Sequence, residues 1–218
     1  MIQAIFITGI GTGIGKTVVS AIIAEALEAD YWKPVQAGNS EGTDTGWMKT
    51  IISNKQSRIH PELYIFKLAA SPHIAAKAEG IEISTQKIHD EYNRLSGKRQ
   101  PIHETQIVIE GAGGLLVPLN EKEFVIDLIE KLNARVILVS RNYLGSINHS
   151  LLTATICKQR NINVIGWIFN DQYLNYEEEI CKWSGYRRLA SIPRMDIINK
   201  DTILRQAILI KNNLVSIV

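Results

Sequence analysis

Nine residues near the N-terminus, Gly9-Ile10-Gly11-Thr12-Gly13-Ile14-Gly15-Lys16-Thr17, constrain this chain more than any other segment. They join a short apolar, β-branched run, 4–8, to a pattern in which Val18, Val19, Ala21, Ile22, Ala24 and Leu27 recur with helical spacing. Strand, glycine loop and helix in that order form the setting of a phosphate loop. The glycines let consecutive backbone N–H groups turn toward one anion, and the start of the helix adds partial positive charge. Lys16 then stands as a point charge on the outer phosphates, and Thr17 offers a hydroxyl to magnesium. The loop is a variant, because the usual pattern asks for glycine five positions before Gly15, where this chain has Ile10. A dinucleotide fingerprint fails on spacing, since its third glycine would fall on Lys16.

The rest of the chain alternates short apolar runs with longer helical patterns. Strands are predicted at 4–8, 31–33, 107–110, 136–140 and 164–169, and helices at 16–28, 44–53, 85–95, 124–132, 147–159 and 176–183. This alternation predicts one P-loop NTPase-like α/β domain over residues 1–218, a mostly parallel sheet with helices on both faces. In such a sheet the ligand edge lies at the carboxyl ends of the strands, so chemistry is sought just after each strand.

Composition narrows the partners. With a net charge of +2 and Lys and Arg scattered along the chain, no nucleic acid is expected as a ligand. No run approaches the roughly 20 apolar residues that cross a bilayer, so the expectation is a cytoplasmic protein without a membrane partner. Cys157 and Cys181 are far apart and read as buried thiols, and the five histidines show no pair at helical metal-ligand spacing.

Three charged residues fall at the predicted ligand edge. Glu110 ends the run Ile107-Val108-Ile109 and precedes the flexible turn Gly111-Ala112-Gly113-Gly114. Asp44, in Gly42-Thr43-Asp44-Thr45, stands where a helix begins, so it is either a helix cap or a metal carboxylate. Magnesium takes one or two carboxylates together with phosphate and water oxygens, which suits both residues. Lys33, before Pro34-Val35-Gln36-Ala37-Gly38, brings a second lysine to the edge that holds Lys16.

Taken in order, the loop, Lys-Pro-Val-Gln-Ala-Gly, Thr-Asp-Thr, Ser71-Pro72-His73, Val-Ile-Glu-Gly-Ala-Gly-Gly, Leu144-Gly145-Ser146-Ile147-Asn148-His149 and Gly166-Trp167-Ile168-Phe169-Asn170-Asp171 closely resemble dethiobiotin synthetases. The likeness runs over about residues 2–194. It implies a homodimeric ligase that uses ATP and Mg2+ to close the ureido ring of dethiobiotin from 7,8-diaminopelargonic acid and CO2 or bicarbonate. The route it implies runs through a carbamate and a carbamic-phosphoric anhydride. Matched by position, Thr12, Lys16 and Lys33 would be the catalytic residues, with Lys33 holding the carbamate. Gly13, Ile14, Gly15, Lys16, Thr17, Val18, Glu110 and Asn170 would bind the nucleotide, Asn170 through its base. Thr17, Asp44 and Glu110 would hold magnesium. Lys33, Gly113 and Gly114, with Leu144, Gly145, Ser146 and Asn148 of the partner subunit, would receive the diamine substrate, and a helix starting after Gly145 would present free N–H groups to its carboxylate.

The chain departs from the family pattern in places. Members often carry acidic residues where this loop has Gly11 and Gly13, and a hydroxyl where it has Ala37. A guanine-reading Asn-Lys-x-Asp is absent, since Gln172 and Tyr173 follow Asn170-Asp171, which favours ATP over GTP. The main rival is a regulatory P-loop ATPase of the partitioning or septum-positioning kind. Such proteins carry a lysine at the place of Gly11, and the tail from Ile203 is expected to pack on the sheet rather than on a membrane.

Overall fold

The computed structural model describes residues 4–97, 106–171 and 174–215; His103, the Gln172-Tyr173 pair and the last residues of the tail lie outside these. The strands are β1 (Ala4–Gly9), β2 (Asp30–Trp32), β3 (Val35–Ala37), β4 (Ile59–His60), β5 (Tyr64–Phe66), β6 (Ile107–Glu110), β7 (Arg135–Arg141), β8 (Val164–Asn170) and β9 (Arg188–Ile192). The helices are α1 (Lys16–Leu27), α2 (Asp44–Ile51), α3 (Pro72–Ala78), α4 (Thr85–Gly97), α5 (Val125–Lys131), α6 (Ser146–Gln159), α7 (Glu177–Ser184) and α8 (Lys200–Val215). Seven strands form one sheet in the order β4-β2-β6-β1-β7-β8-β9, and β3 and β5 form a separate pair. Every pairing of named strands is parallel.

The period-two geometry of a strand sorts each apolar run onto two faces. Ala4 and Phe6 of β1, Leu138 of β7 and Trp167 and Phe169 of β8 enter the core on one side of the sheet, under α4, α5, α6 and α7. Ile5 and Ile7, Ile137 and Val139, and Ile168 enter the other core, which α1, α2 and α8 cover. Burial on both faces explains why the central strands read as unbroken apolar runs. The α8 helix buries Ile203, Ala207, Ile210 and Leu214, spaced on one stripe, against the same core as α1 and β9. The tail therefore packs on the sheet, as its apolar spacing predicts.

All five predicted strands and all six predicted helices are present, with ends shifted by one or two residues. Apolar periodicity alone does not mark β3, β4, β5, β9 or α3 as elements. The β4 strand is two residues long, and β9 lies at the other sheet edge with Arg188 and Ser191 exposed, so neither carries a strong apolar signal.

A close approach of β1 to β7 fixes the mouth of the glycine loop. A Cβ on Gly9 would stand 2.1 Å from Val139 O and 2.6 Å from the Ile14 side chain. Substituting Gly9→Ala must therefore push β1 from β7, and the expected loss is about 2 kcal/mol of unfolding free energy. Urea denaturation measures it; an unchanged midpoint would mean that the two strands separate without cost.

Candidate active site

Three neighbouring parallel strands deliver the site at their carboxyl ends. The β1 strand runs into the glycine loop, β2 ends at Trp32 so that Lys33 comes directly after it, and β6 ends on Glu110. Trp32 pairs with Ile109 and Ile7 with Glu110, which brings Lys33, Glu110 and the loop to one level. Asp44 arrives from the first turn of α2. There Thr43, in extended conformation, is the cap, its Oγ1 accepting the Gly46 N–H at 3.0 Å. Asp44 is thus released from capping through its side chain and turns toward the sheet edge.

Lys33 Nζ donates to Glu110 Oε1 at 3.0 Å and also to Asp44 Oδ2. Thr17 Oγ1 lies 2.8 Å from Glu110 Oε1 and 3.1 Å from Asp44 Oδ1. A hydroxyl has a single proton and can donate to only one of these carboxylates at a time. Three oxygens thus converge beside the Lys33 ammonium, the cation on which the two carboxylates close in this structure. Tyr31 Oη donates to the other Glu110 oxygen at 2.9 Å, so that this carboxylate, 1% exposed, accepts from three side chains. Gln36 braces the group: its Nε2 donates to Gly38 O at 2.9 Å and its Oε1 faces the Asp44 N–H at 3.4 Å.

Electrostatics differ for the two lysines. Burial lowers the Lys16 ammonium to about 8, with Lys33 adding to the effect and Glu110 opposing it. Burial acts in the same direction on Lys33, but Glu110 and Asp44 outweigh it and hold its pKa above the ordinary lysine value. Burial, followed by the Glu110 charge, raises Tyr31 well above the usual phenol range. Lys16 Nζ donates back to Gly11 O at 2.6 Å, across its own loop.

The glycine turn of residues 111–114 abuts the same loop. A Cβ on Gly114 would lie 3.1 Å from Gly9 O and 3.6 Å from Gly11 N, and one on Gly113 would lie 3.6 Å from Thr12 Oγ1. Gly13, Ile14, Gly15, Val18 and Asn170 line a cavity of about 250 Å³ that the end of β9 and the chain after it border with Ile192, Pro193 and Arg194. A second cavity, about 720 Å³, borders Thr12 and Gly13 on the side of Arg141, Tyr143 and His149. Leu144, Gly145, Ser146 and Asn148 are not among its lining residues. Leu144 is 86% exposed, and Gly145 caps α6 with a φ of 101°. Ser146 is buried, and its hydroxyl meets the Tyr143 N–H and Tyr176 Oη.

Sequence reasoning passed over Tyr31, Gln36, Arg141 and Tyr176. A phenol one residue from the end of a buried strand was a signal for Tyr31, because its polar tip needs a partner. Arg141 closes β7 beside the loop, with Nε 2.7 Å from Asp171 Oδ2. Among the described residues no three His, Cys, Asp or Glu side chains gather as a metal cage, and no helix is long and apolar enough to cross a membrane.

The parallel sheet, the strand-loop-helix and the lysine within it define a P-loop α/β protein of the nucleoside-triphosphatase type. A family model described as an AAA domain matches residues 3–202. In solved structures the chain resembles the cell division ATPase MinD of Pyrococcus furiosus, with a TM-score of 0.61 at 12% identity over 100% of both chains. It also resembles a ParA family ATPase of Chlorobium tepidum, with a TM-score of 0.57 at 14% identity over 94% of this chain and 98% of that one. At such identities the likeness shows the fold alone. Among curated proteins it is 47% identical to the ATP-dependent dethiobiotin synthetase BioD of Cytophaga hutchinsonii, over 95% of this chain and 97% of that one. It is 49% identical to the protein of the same name from Christiangramia forsetii, over 84% of this chain and 83% of that one. The chain belongs to the dethiobiotin synthetase family, and the partitioning or septum reading is not favoured.

The unequal burial of the two carboxylates has a measurable consequence. Glu110→Gln removes a charge that is 1% exposed and leaves Lys33 buried beside a single carboxylate. The expected loss is about 3 kcal/mol in urea denaturation at pH 7. Asp44→Asn, at a side chain 30% exposed, is expected to cost about 1 kcal/mol or less. Equal losses would contradict the assignment of Glu110 as the buried anchor.

Proposed function

We propose that this chain catalyses the ATP-dependent closure of the ureido ring of dethiobiotin from 7,8-diaminopelargonic acid and CO2, as one P-loop α/β domain acting within a cytoplasmic homodimer. The observation that carries this reading is the Lys33 ammonium lying between Glu110 and Asp44, with Thr17 across from it, at the lip of the glycine loop. A loop alone would suit many phosphate-using proteins. A second lysine seated on carboxylates beside it suits a reaction that brings an additional anion, a carbamate, to the triphosphate.

The donor set fits magnesium. Thr17, Asp44 and Glu110 supply hard oxygens only, and two carboxylates with one hydroxyl leave the remaining coordination to phosphate and water. Held by these three, Mg2+ would neutralise phosphate charge. The chain's own groups supply positioning and electrostatics, the main protein contributions to phosphoryl transfer. The N–H groups of Gly13, Ile14 and Gly15 face the triphosphate, Lys16 and Thr12 lie on its outer end, and Val18 and Asn170 border the base. Lys33 holds the carbamate oxygens through a full positive charge, which Glu110 and Asp44 maintain. Gly113 and Gly114 would receive the diamine beside the loop; their lack of side chains lets this turn pack directly on Gly9, Gly11 and Val117.

The dimer enters through α6. Leu144, just before this helix, and Leu152, about two turns into it, are 86% and 58% exposed. Placed on a second copy, Leu144, Gly145, Ser146 and Asn148 would offer backbone N–H groups to the substrate carboxylate. Ser146 would do so only through its backbone, as its hydroxyl is engaged with Tyr176. The reading includes neither a nucleic acid nor a membrane.

The test supplies purified protein with Mg2+, ATP and bicarbonate and measures phosphate release with and without the diamine. Release is expected to depend on the diamine. Lys16→Gln is expected to lower turnover by about three orders of magnitude, as removal of a transition-state charge contact does. Lys33→Gln is expected to lower turnover while sparing nucleotide affinity. Diamine-independent release would refute the function, and equal loss of nucleotide affinity in both variants would refute the division of labour.

A further inference from the structure

We propose that Asn170 is a positioning residue for the phosphate loop, acting on the triphosphate through the loop backbone whichever base the nucleotide carries. This rests on the function proposed above and deepens it. Asn170 closes β8 next to Arg141 of β7 and is 8% exposed. Its Nδ2 lies 2.7 Å from Ile14 O. A carbonyl oxygen only accepts, so the amide nitrogen is necessarily the end that faces the loop.

The peptide geometry converts this contact into control of the N–H groups. No described peptide bond is cis, and across a trans peptide the C=O and the next N–H point in opposite directions. Holding the Ile14 carbonyl toward β8 therefore turns the Gly15 N–H away from β8. Arg141 acts in the same sense one residue earlier and more weakly, its Nη1 being 3.5 Å from Gly13 O. That contact turns the Ile14 N–H away from β7. No backbone acceptor among the described residues takes the N–H of Gly13, Ile14 or Gly15, so these donors stand together for an anion.

The fit between Asn170 and the loop is tight. Gly15 has a φ of 88°, and a Cβ added there would lie 2.5 Å from Asn170 Nδ2. Only glycine allows the amide to reach its acceptor. A residue placed solely to read a base has no need of such a contact, which faces the loop and not the base. No donor among the described residues reaches Asn170 Oδ1, so this oxygen stays able to accept from a base amine without disturbing the Ile14 contact.

Calorimetry with Mg2+ and two probes separates the roles: inorganic tripolyphosphate, which has no base, and AMPPNP, which has one. Asn170→Ala is expected to weaken tripolyphosphate about tenfold, the typical effect of leaving a buried acceptor unpaired, and AMPPNP by at least that factor. Asn170→Leu keeps the approximate shape and the neutral charge but removes the donor, so a similar loss of both is expected. Partial unfolding would lower the binding stoichiometry instead of the affinity; if the alanine variant does not fold, the near-isosteric, uncharged leucine variant decides alone. Unchanged tripolyphosphate affinity in a folded variant overturns the proposal, whatever happens to AMPPNP. Neither probe needs the diamine or bicarbonate, so failure of the ring-closure reading would appear in the phosphate-release assay and not here.

Discussion

The rest of the site depends on one buried ion pair. Glu110, at the end of a central strand, holds Lys33 while also accepting from Thr17 and Tyr31, so that side chains from separate segments of the chain meet at one carboxylate. A buried charge is tolerated only when it is paired and hydrogen-bonded. Each partner therefore fixes the others: Lys33 stays charged because of Glu110 and Asp44, and Thr17 is aimed because Glu110 receives it. Lys16, without such a carboxylate partner, lies on its own loop and is drawn down by burial instead.

Parallel pairing makes this convergence possible. Residues 7, 33 and 110 are far apart in the chain, but β1, β6 and β2 are adjacent and point the same way, so the segments leaving these strands arrive at one edge. The same edge continues through β7 and β8, where Arg141 and Asn170 approach the glycine loop from the opposite side. The loop is thus held between an acidic group on one flank and two carbonyl-binding side chains on the other. The fold is shared with ATPases of the cell-division MinD and ParA kinds, so fold alone does not assign the chemistry. The charged residues at the ends of β2 and β6, Lys33 and Glu110, are where this chain's own chemistry is to be sought.

Much of this was legible in the sequence, and the illegible part has physical causes. Gly15, Lys16 and Thr17 announce their geometry locally, because a strand, a glycine turn and a helix start are all short-range features. Lys33, Asp44 and Glu110 could be grouped because each ends a strand or opens a helix at the predicted edge. Tyr31 and the loop contact of Asn170 could not be placed the same way, since their partners depend on which strands are neighbours, and strand order is not written in any single segment. Asp44 posed a choice between capping and the sheet edge, and Thr43 decided it by taking the cap. The β3–β5 pair, β4 and β9 escaped notice because they are short or lie at edges, where apolar patterning weakens.

We infer that the oxygens of Thr17, Asp44 and Glu110 would form the protein side of a divalent-ion site facing the glycine loop. A crystal structure with Mg2+ and AMPPNP tests it most directly. The predicted result is an ion about 2.1 Å from Thr17 Oγ1 and at similar distance from a carboxylate oxygen of Asp44 or Glu110. An ion bound by phosphates and water alone, with Lys33 still between the two carboxylates, would contradict it.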